Sequence, residues 1–139
     1  MQKKVLAYTD GGSRSNPGPA AIGVLILSEK GGLLAEVGEY LGKATNNEAE
    51  YAAVIRALAL ASSYTREEVS VTLDSQLVAS QLSGKYKIKE PRLRDLAKKA
   101  REKERAFQKV TYTHVKRDNP FIKKADRLVN ETLDEVMGK

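Results

Sequence analysis

The chain has 139 residues, the size of one ordinary domain, and 41% of them are hydrophobic, enough for a real core. It has no cysteine, which excludes a disulfide framework and a thiolate metal site, and no apolar run reaches the ~18–20 residues that span a membrane. Net charge is +6 and unevenly placed: from Lys85 to Lys109 eleven Lys or Arg face four Asp or Glu, a local +7, so the rest of the chain is close to neutral at −1.

In chain order, residues 3–9 ("KKVLAYT") are expected to form a strand that runs into Asp10 and a turn rich in Gly, Ser, Asn and Pro. Residues 20–28 ("AAIGVLILS") form a second strand, "EKGG" a hairpin turn, and 33–41 ("LLAEVGEYL") a third strand. Such short connections require antiparallel pairing. The period then changes. Residues 45–64 are rich in Ala and Leu and predict a helix, with Thr45 and Glu48 spaced as a capping box. Residues 69–74 ("VSVTLD") are a fourth strand, again ending on aspartate. A short helix follows ("SQLVASQLSG"), then a basic connector ("KYKIKE") and a charged helix that opens on Pro91. Residues 109–115 are a fifth strand, "KRDNPF" a loop, and 122–137 a closing helix. Three antiparallel strands followed by β-α-β crossovers define one α/β domain with a mixed sheet and helices packed on it.

Four carboxylates stand in awkward places. Asp10 and Asp74 both end apolar strands, and if those strands are parallel neighbours both lie at one sheet edge, where open α/β sheets keep their ligand sites. Taken alone, a strand-ending aspartate such as Asp10 reads first as a turn residue. On the 45–64 helix, Glu48 and Glu50 point to nearly opposite sides, about 200° apart. Glu50 shares its stripe with Ala53, Val54, Ala57 and Leu58, so it is the carboxylate expected to face the sheet, while Glu48 is occupied by the cap. On the last helix Ile122, Ala125, Val129, Leu133 and Val136 form an apolar stripe that carries Asp126; Asp134 lies off it and reads as surface. Like charges gathered together raise one another's pKa values. A divalent cation keeps them ionised, and an all-oxygen donor set suits Mg²⁺ or Mn²⁺ rather than zinc. Two such ions about 4 Å apart activate a water and stabilise a leaving oxygen at a phosphodiester. With the basic segment as a polyanion-binding element, this predicts a metal-dependent nuclease. The alternative for the basic segment is a solvated helix face laced with ion pairs.

The stretches "TDGGSRSNPGPAAIG", "TNNEAEYAAVIRAL", "LDSQLVASQLSG" and "KKADRLVNE" resemble, in order and spacing, the motifs of type 1 ribonuclease H, over about residues 4 to 133. The resemblance implies a ribonuclease H-like fold, a five-stranded sheet in the order 3-2-1-4-5 with helices on both faces. It also implies hydrolysis of the RNA strand of an RNA–DNA hybrid with two metal ions, leaving 5′-phosphate and 3′-hydroxyl ends. Asp10, Glu50, Asp74 and Asp126 match the family's metal-binding and catalytic carboxylates. Asn16, Asn46, Asn47 and Gln76 match positions that contact the hybrid, where amides suit 2′-hydroxyls that both donate and accept; turn formation and capping are their structural alternatives. Thr45 is expected to serve as cap and phosphate neighbour.

The chain departs from the best-known bacterial pattern in its last loop. "KRDNPFIKK" lacks the histidine many members carry there and resembles the shorter, Arg-bearing version of archaeal-like members. Arg117 is expected to neutralise charge at the scissile phosphate but cannot act as a base. The sole histidine, His114, falls on the fifth strand and reads as structural. Lys85, Lys87, Lys89 and Arg92 are expected to track backbone phosphates. The expected partner is RNA–DNA hybrid, with RNA duplex as an alternative substrate and a non-catalytic nucleic-acid-binding module as the rival reading. A cytoplasmic monomer without membrane attachment is the expected state.

Overall fold

The computed structural model describes residues 1–138. Five strands, β1 (Lys4–Ser13), β2 (Gly18–Ser28), β3 (Leu33–Ala44), β4 (Glu68–Leu73) and β5 (Lys109–His114), form one sheet in the order β3-β2-β1-β4-β5. β1 pairs antiparallel with β2, and β2 with β3; β4 runs parallel to both β1 and β5. Four helices complete the chain: α1 (Asn46–Ala61), α2 (Gln76–Leu82), α3 (Pro91–Glu104) and α4 (Pro120–Val136). Sheet order and strand directions match the expectation. No helix among the described residues is long and apolar enough to cross a membrane.

The two faces of the sheet are covered differently. Val5, Ala7, Ile22, Val24, Ile26, Val69, Val71 and Leu73 form the main core with Tyr51, Val54 and Leu58 of α1. The buried stripe of α3 (Leu93, Leu96, Ala97, Ala100) joins the same core and packs on α1. On the opposite face α4 packs with Val129 and Leu133 around Ala21. Burial of the Val, Ile and Leu side chains among these, roughly 1.5–3 kcal/mol each, is the main favourable term.

Glycine sets how closely the helices approach. A Cβ on Gly11 would lie 2.3 Å from the carbonyl of Ala49, so α1 sits almost on the backbone of β1. On the other face a Cβ on Gly23 would lie 2.1 Å from the carbonyl oxygen of Ala125 in α4. This explains one departure from the sequence reading. The stretch Gly11–Ser13, expected as turn, continues β1 and pairs with Ile22, Ala21 and Ala20 of β2. Here glycine serves close packing rather than a bend.

The last helix also starts earlier than expected. Asn119, assigned to a loop, is the N-cap: its side chain accepts from the backbone N–H groups of Phe121 and Ile122, and Pro120 occupies the first turn. Phe121 stacks against Tyr8 of β1 with ring centroids 4.8 Å apart, which pins the start of α4 to the central strand. At the far end Val136, read as part of the apolar stripe, is half exposed, beyond Leu133, the last buried residue of the helix.

Candidate active site

The register of β1 and β4 brings two aspartates together. Their last parallel pair is Thr9 with Leu73, so Asp10 and Asp74 follow side by side at the carboxyl ends of adjacent strands. β1 continues beyond this point only on its β2 side, where Asp10 pairs with Gly23. The sheet therefore opens at Asp74, leaving a notch beside Asp10.

Helix α1 delivers the third carboxylate into that notch. Thr45 caps the helix: its hydroxyl accepts from the N–H of Glu48 at 3.1 Å, and Glu48 Oε1 accepts from the N–H of Thr45 at 2.9 Å. With the first turn so fixed, Glu50 faces the sheet and is 8% exposed. Its Oε1 accepts from the backbone N–H of Gly11 at 3.0 Å, a bond that the missing Cβ of Gly11 makes reachable. Glu48 points away, where its Oε2 accepts from Arg92 Nε at 2.9 Å. Asp10, Glu50 and Asp74 each present a carboxylate oxygen within 4.8 Å of the others.

Such crowding has an electrostatic cost. Burial, then the charge of Asp74, then a hydrogen bond to Asp126 push the Asp10 carboxyl up to about 8, against a smaller opposing effect from Arg117. Glu50 is held well above the ordinary carboxylate range, first by burial and then by the charges of Asp10 and Asp74; the N–H of Gly11 opposes this. Glu48 moves the other way: the Thr45 N–H and then Arg92 lower its pKa. Two glutamates two residues apart thus serve opposite ends, one stabilised as an anion for capping and one destabilised as an anion in the cluster.

Asp126 enters from α4 and is exposed, not buried on the apolar stripe where the sequence pattern set it. It flanks the triad, next to Asp10, from the open side. The physical reason is helical geometry: Ala125 takes the buried position against Gly23, and the next residue is turned about 100° toward solvent. Arg117 Nε lies 3.4 Å from Asp74 Oδ2, with its side chain 88% exposed, so it sits over the mouth of the site. Arg117, Asp118, Lys123 and Asp126 line a cleft of about 380 Å³ beside the carboxylates.

The remaining candidates are spread over the β1–β2 loop, the first turns of α1 and α2, and the connector between α2 and α3. Asn16 and Asn46 lock the β1–β2 loop to the start of α1: the N–H of Ser13 donates to Asn46 Oδ1 and the N–H of Asn46 donates to Asn16 Oδ1, both at 2.9 Å. Both amides therefore have structural partners as well as exposed positions. Asn47 is half-buried in the first turn of α1, and Gln76 is exposed at the start of α2, whose N-cap is Ser75. Lys85, Lys87 and Lys89 are exposed on the connector between α2 and α3. His114 is exposed at the end of β5, opposite Leu73. Two residues that the sequence pattern does not single out also bear on the site: Arg14 forms an ion pair with Asp134, which lies off the apolar stripe, and Asn130 donates to Asp126.

A sheet of this order, helices on both faces and an acidic triad at the open end of the central parallel pair define a ribonuclease H-like α/β domain. Comparison with known proteins agrees. A family model described as "Reverse transcriptase-like" matches residues 8–132. Ribonuclease HI of Halobacterium salinarum is 45% identical over 133 residues, which cover 96% of this chain and 66% of that protein. The crystal structure of RNase H1 from the same archaeon superimposes with a TM-score of 0.89 at 44% identity, covering 95% of this chain and 98% of that one. The structure of LC11-RNase H1 in complex with RNA/DNA hybrid superimposes with a TM-score of 0.87 at 40% identity, covering 96% and 99%. The chain belongs to the reverse transcriptase-like family of ribonuclease H domains. It spans 66% of the Halobacterium relative's length and 36% of a bifunctional mycobacterial relative's.

Proposed function

We propose that this protein is an endoribonuclease that hydrolyses the RNA strand of RNA–DNA hybrids, leaving 5′-phosphate and 3′-hydroxyl ends. The observation that carries the proposal is the convergence of Asp10, Glu50 and Asp74 within 4.8 Å at the mouth of a ribonuclease H fold. The hybrid-bound relative, 40% identical over nearly its whole length, supports the choice of substrate.

The donor set fits a hard divalent cation. All its atoms are carboxylate oxygens, and the raised Asp10 and Glu50 pKa values mean that the ionised cluster lacks enough positive charge of its own. Asp10, Glu50, Asp74 and Asp126 would hold Mg²⁺, or Mn²⁺, with two ions in the substrate complex. When bound, such ions lower the pKa of water and stabilise charge on the leaving oxygen of a phosphodiester.

The protein's own groups do the rest. The N–H of Gly11 fixes the Glu50 carboxylate, and the capping box fixes the helix that carries it. Arg117, exposed and beside Asp74, offers charge to the scissile phosphate; as a guanidinium it neither takes nor gives the reaction proton. Asn16, Thr45, Asn46, Asn47 and Gln76 would contact the hybrid, with polar side chains that suit 2′-hydroxyls in a wide minor groove. Lys85, Lys87 and Lys89 supply phosphate affinity from the exposed connector.

The test is a gel assay with RNA labelled in RNA–DNA, RNA–RNA and single-stranded form, with Mg²⁺, with Mn²⁺ and with EDTA. Metal-dependent cleavage of the hybrid, with products carrying 5′-phosphates, is expected. Cleavage of RNA duplex as fast as hybrid would favour the broader duplex nuclease, and tight binding without cleavage the non-catalytic module.

A further inference from the structure

Asp126 differs from the other three carboxylates in how it is held. Glu50 is buried against a backbone N–H, and Asp10 and Asp74 are fixed at strand ends. Asp126 is exposed on a helix surface, where, apart from its hydrogen bond with Asp10, nothing buried limits its rotamer. One turn further along α4, Asn130 Nδ2 donates to Asp126 Oδ2 at 3.2 Å and to its backbone carbonyl at 3.1 Å.

Asn130 is itself braced from outside the helix. Arg14, in the β1–β2 loop, donates through Nη2 to the Asn130 carbonyl at 3.3 Å and pairs with Asp134 Oδ1 at 2.6 Å. The other side of that loop is tied to the start of α1 through Asn46. One loop therefore links α4, which carries Asp126, to α1, which carries Glu50.

We infer that Asn130 is a positioning residue that fixes the rotamer of Asp126, with Arg14 bracing the helix turn on which it acts; this rests on the metal-dependent reading of the site. The chemistry suits the task. A neutral amide donates to one carboxylate oxygen and adds no positive charge to compete with a cation. Groups that orient a ligating carboxylate in this way commonly carry 10–100-fold in metal affinity or activity. The plainer role, a helix-surface hydrogen bond four residues apart, would affect helix stability only slightly and leave turnover alone.

The experiment compares Asn130→Ala, the isosteric but non-donating Asn130→Asp, and Asn130→Gln, which keeps a donor. For Asn130→Ala, kcat on hybrid should fall roughly tenfold or more and the Mg²⁺ concentration for half-maximal rate should rise. KM for hybrid and Tm should stay near wild type. Asn130→Asp should be at least as impaired, and Asn130→Gln should recover part of the rate. In an Asp126→Asn background, Asn130→Ala should cost nothing further. Three-bond NMR couplings of the Asp126 methylene in metal-free protein carrying Asp10→Ala, which removes the other hydrogen bond to Asp126, give a readout that needs no activity: one rotamer with Asn130 present, averaging in Asn130→Ala. Wild-type kcat and Mg²⁺ dependence in Asn130→Ala, or couplings unchanged by it, would overturn the inference. If wild-type protein cleaves no hybrid, the functional reading fails instead, and the couplings alone decide whether Asn130 orients Asp126.

Discussion

Replacing Asp10 by asparagine removes one negative charge from the cluster while keeping side-chain shape. Burial and the neighbouring carboxylates push the Asp10 carboxyl from its ordinary 3.8 up to about 8 in the folded, metal-free protein. Because the folded value is the higher one, the folded state holds a proton that the unfolded state has released across roughly pH 4 to 8. The stabilisation associated with that proton is full below the lower value and is lost as pH rises through the upper one. At ~1.4 kcal/mol per unit, the penalty at pH 9 has an upper bound of about 5–6 kcal/mol. Asp10, Glu50 and Asp74 share the repulsion, so the gain expected for Asp10→Asn in EDTA at pH 9 is smaller, about 1–3 kcal/mol. For a domain of this size that is roughly 3–12 °C in Tm, shrinking toward pH 5. Saturating Mg²⁺ should raise wild-type Tm more at pH 8 than at pH 5.5 and should stabilise the variant less. Thermal melts by circular dichroism at pH 5, 7 and 9, with EDTA and with Mg²⁺, measure all of this. A variant no more stable than wild type at pH 9 in EDTA would refute the claim that the cluster is held against its own charge.

Glu50→Gln should lower the cleavage rate by orders of magnitude, whereas Glu48→Gln should cost about 1 kcal/mol or less in stability and leave most of the rate; steady-state kinetics with paired melts separate them. Changing Lys85, Lys87 and Lys89 together to Ala should raise KM for hybrid and flatten the log–log dependence of affinity on salt by roughly two to three units, with maximal rate little changed. An unchanged slope would assign those lysines to solvation of the connector. Gly23→Ala should destabilise by about 2 kcal/mol or more, because its methyl would meet the Ala125 carbonyl at 2.1 Å and push α4 off the sheet. Retention of wild-type Tm would show that the helix yields at little cost.

Much of the site was legible in the sequence because it depends on local periodicity. The choice of Glu50 over Glu48 followed from which residues share a helical stripe, and the pairing of Asp10 with Asp74 from two apolar strands that end on the same residue type. What depends on contact between distant segments was not legible. Arg14 reaches Asn130 across 116 residues, and nothing in "SRSNPG" marks that arginine as a partner of the last helix. Gly11 and Gly12 read as turn because glycine disrupts strands on average; the approach of α1, unseen in the sequence, gives Gly11 its place in one. Asp126 was set on the apolar stripe because a pattern cannot distinguish its centre from its edge. The start of α4, by contrast, was marked: Asn119-Pro120 is an N-cap followed by a first-turn proline, a signal passed over in favour of the apolar run.

On the proposed function, the acidic cluster cuts RNA paired with DNA with the help of a divalent cation. The most direct measurement is single-turnover cleavage of a labelled RNA–DNA hybrid by wild type, Asp10→Asn and Asp74→Asn across a Mg²⁺ titration. Metal-dependent cleavage of the RNA strand by wild type and near-complete loss in both folded variants are expected. Cleavage by wild type in EDTA, or near-normal rates in either variant, would contradict it.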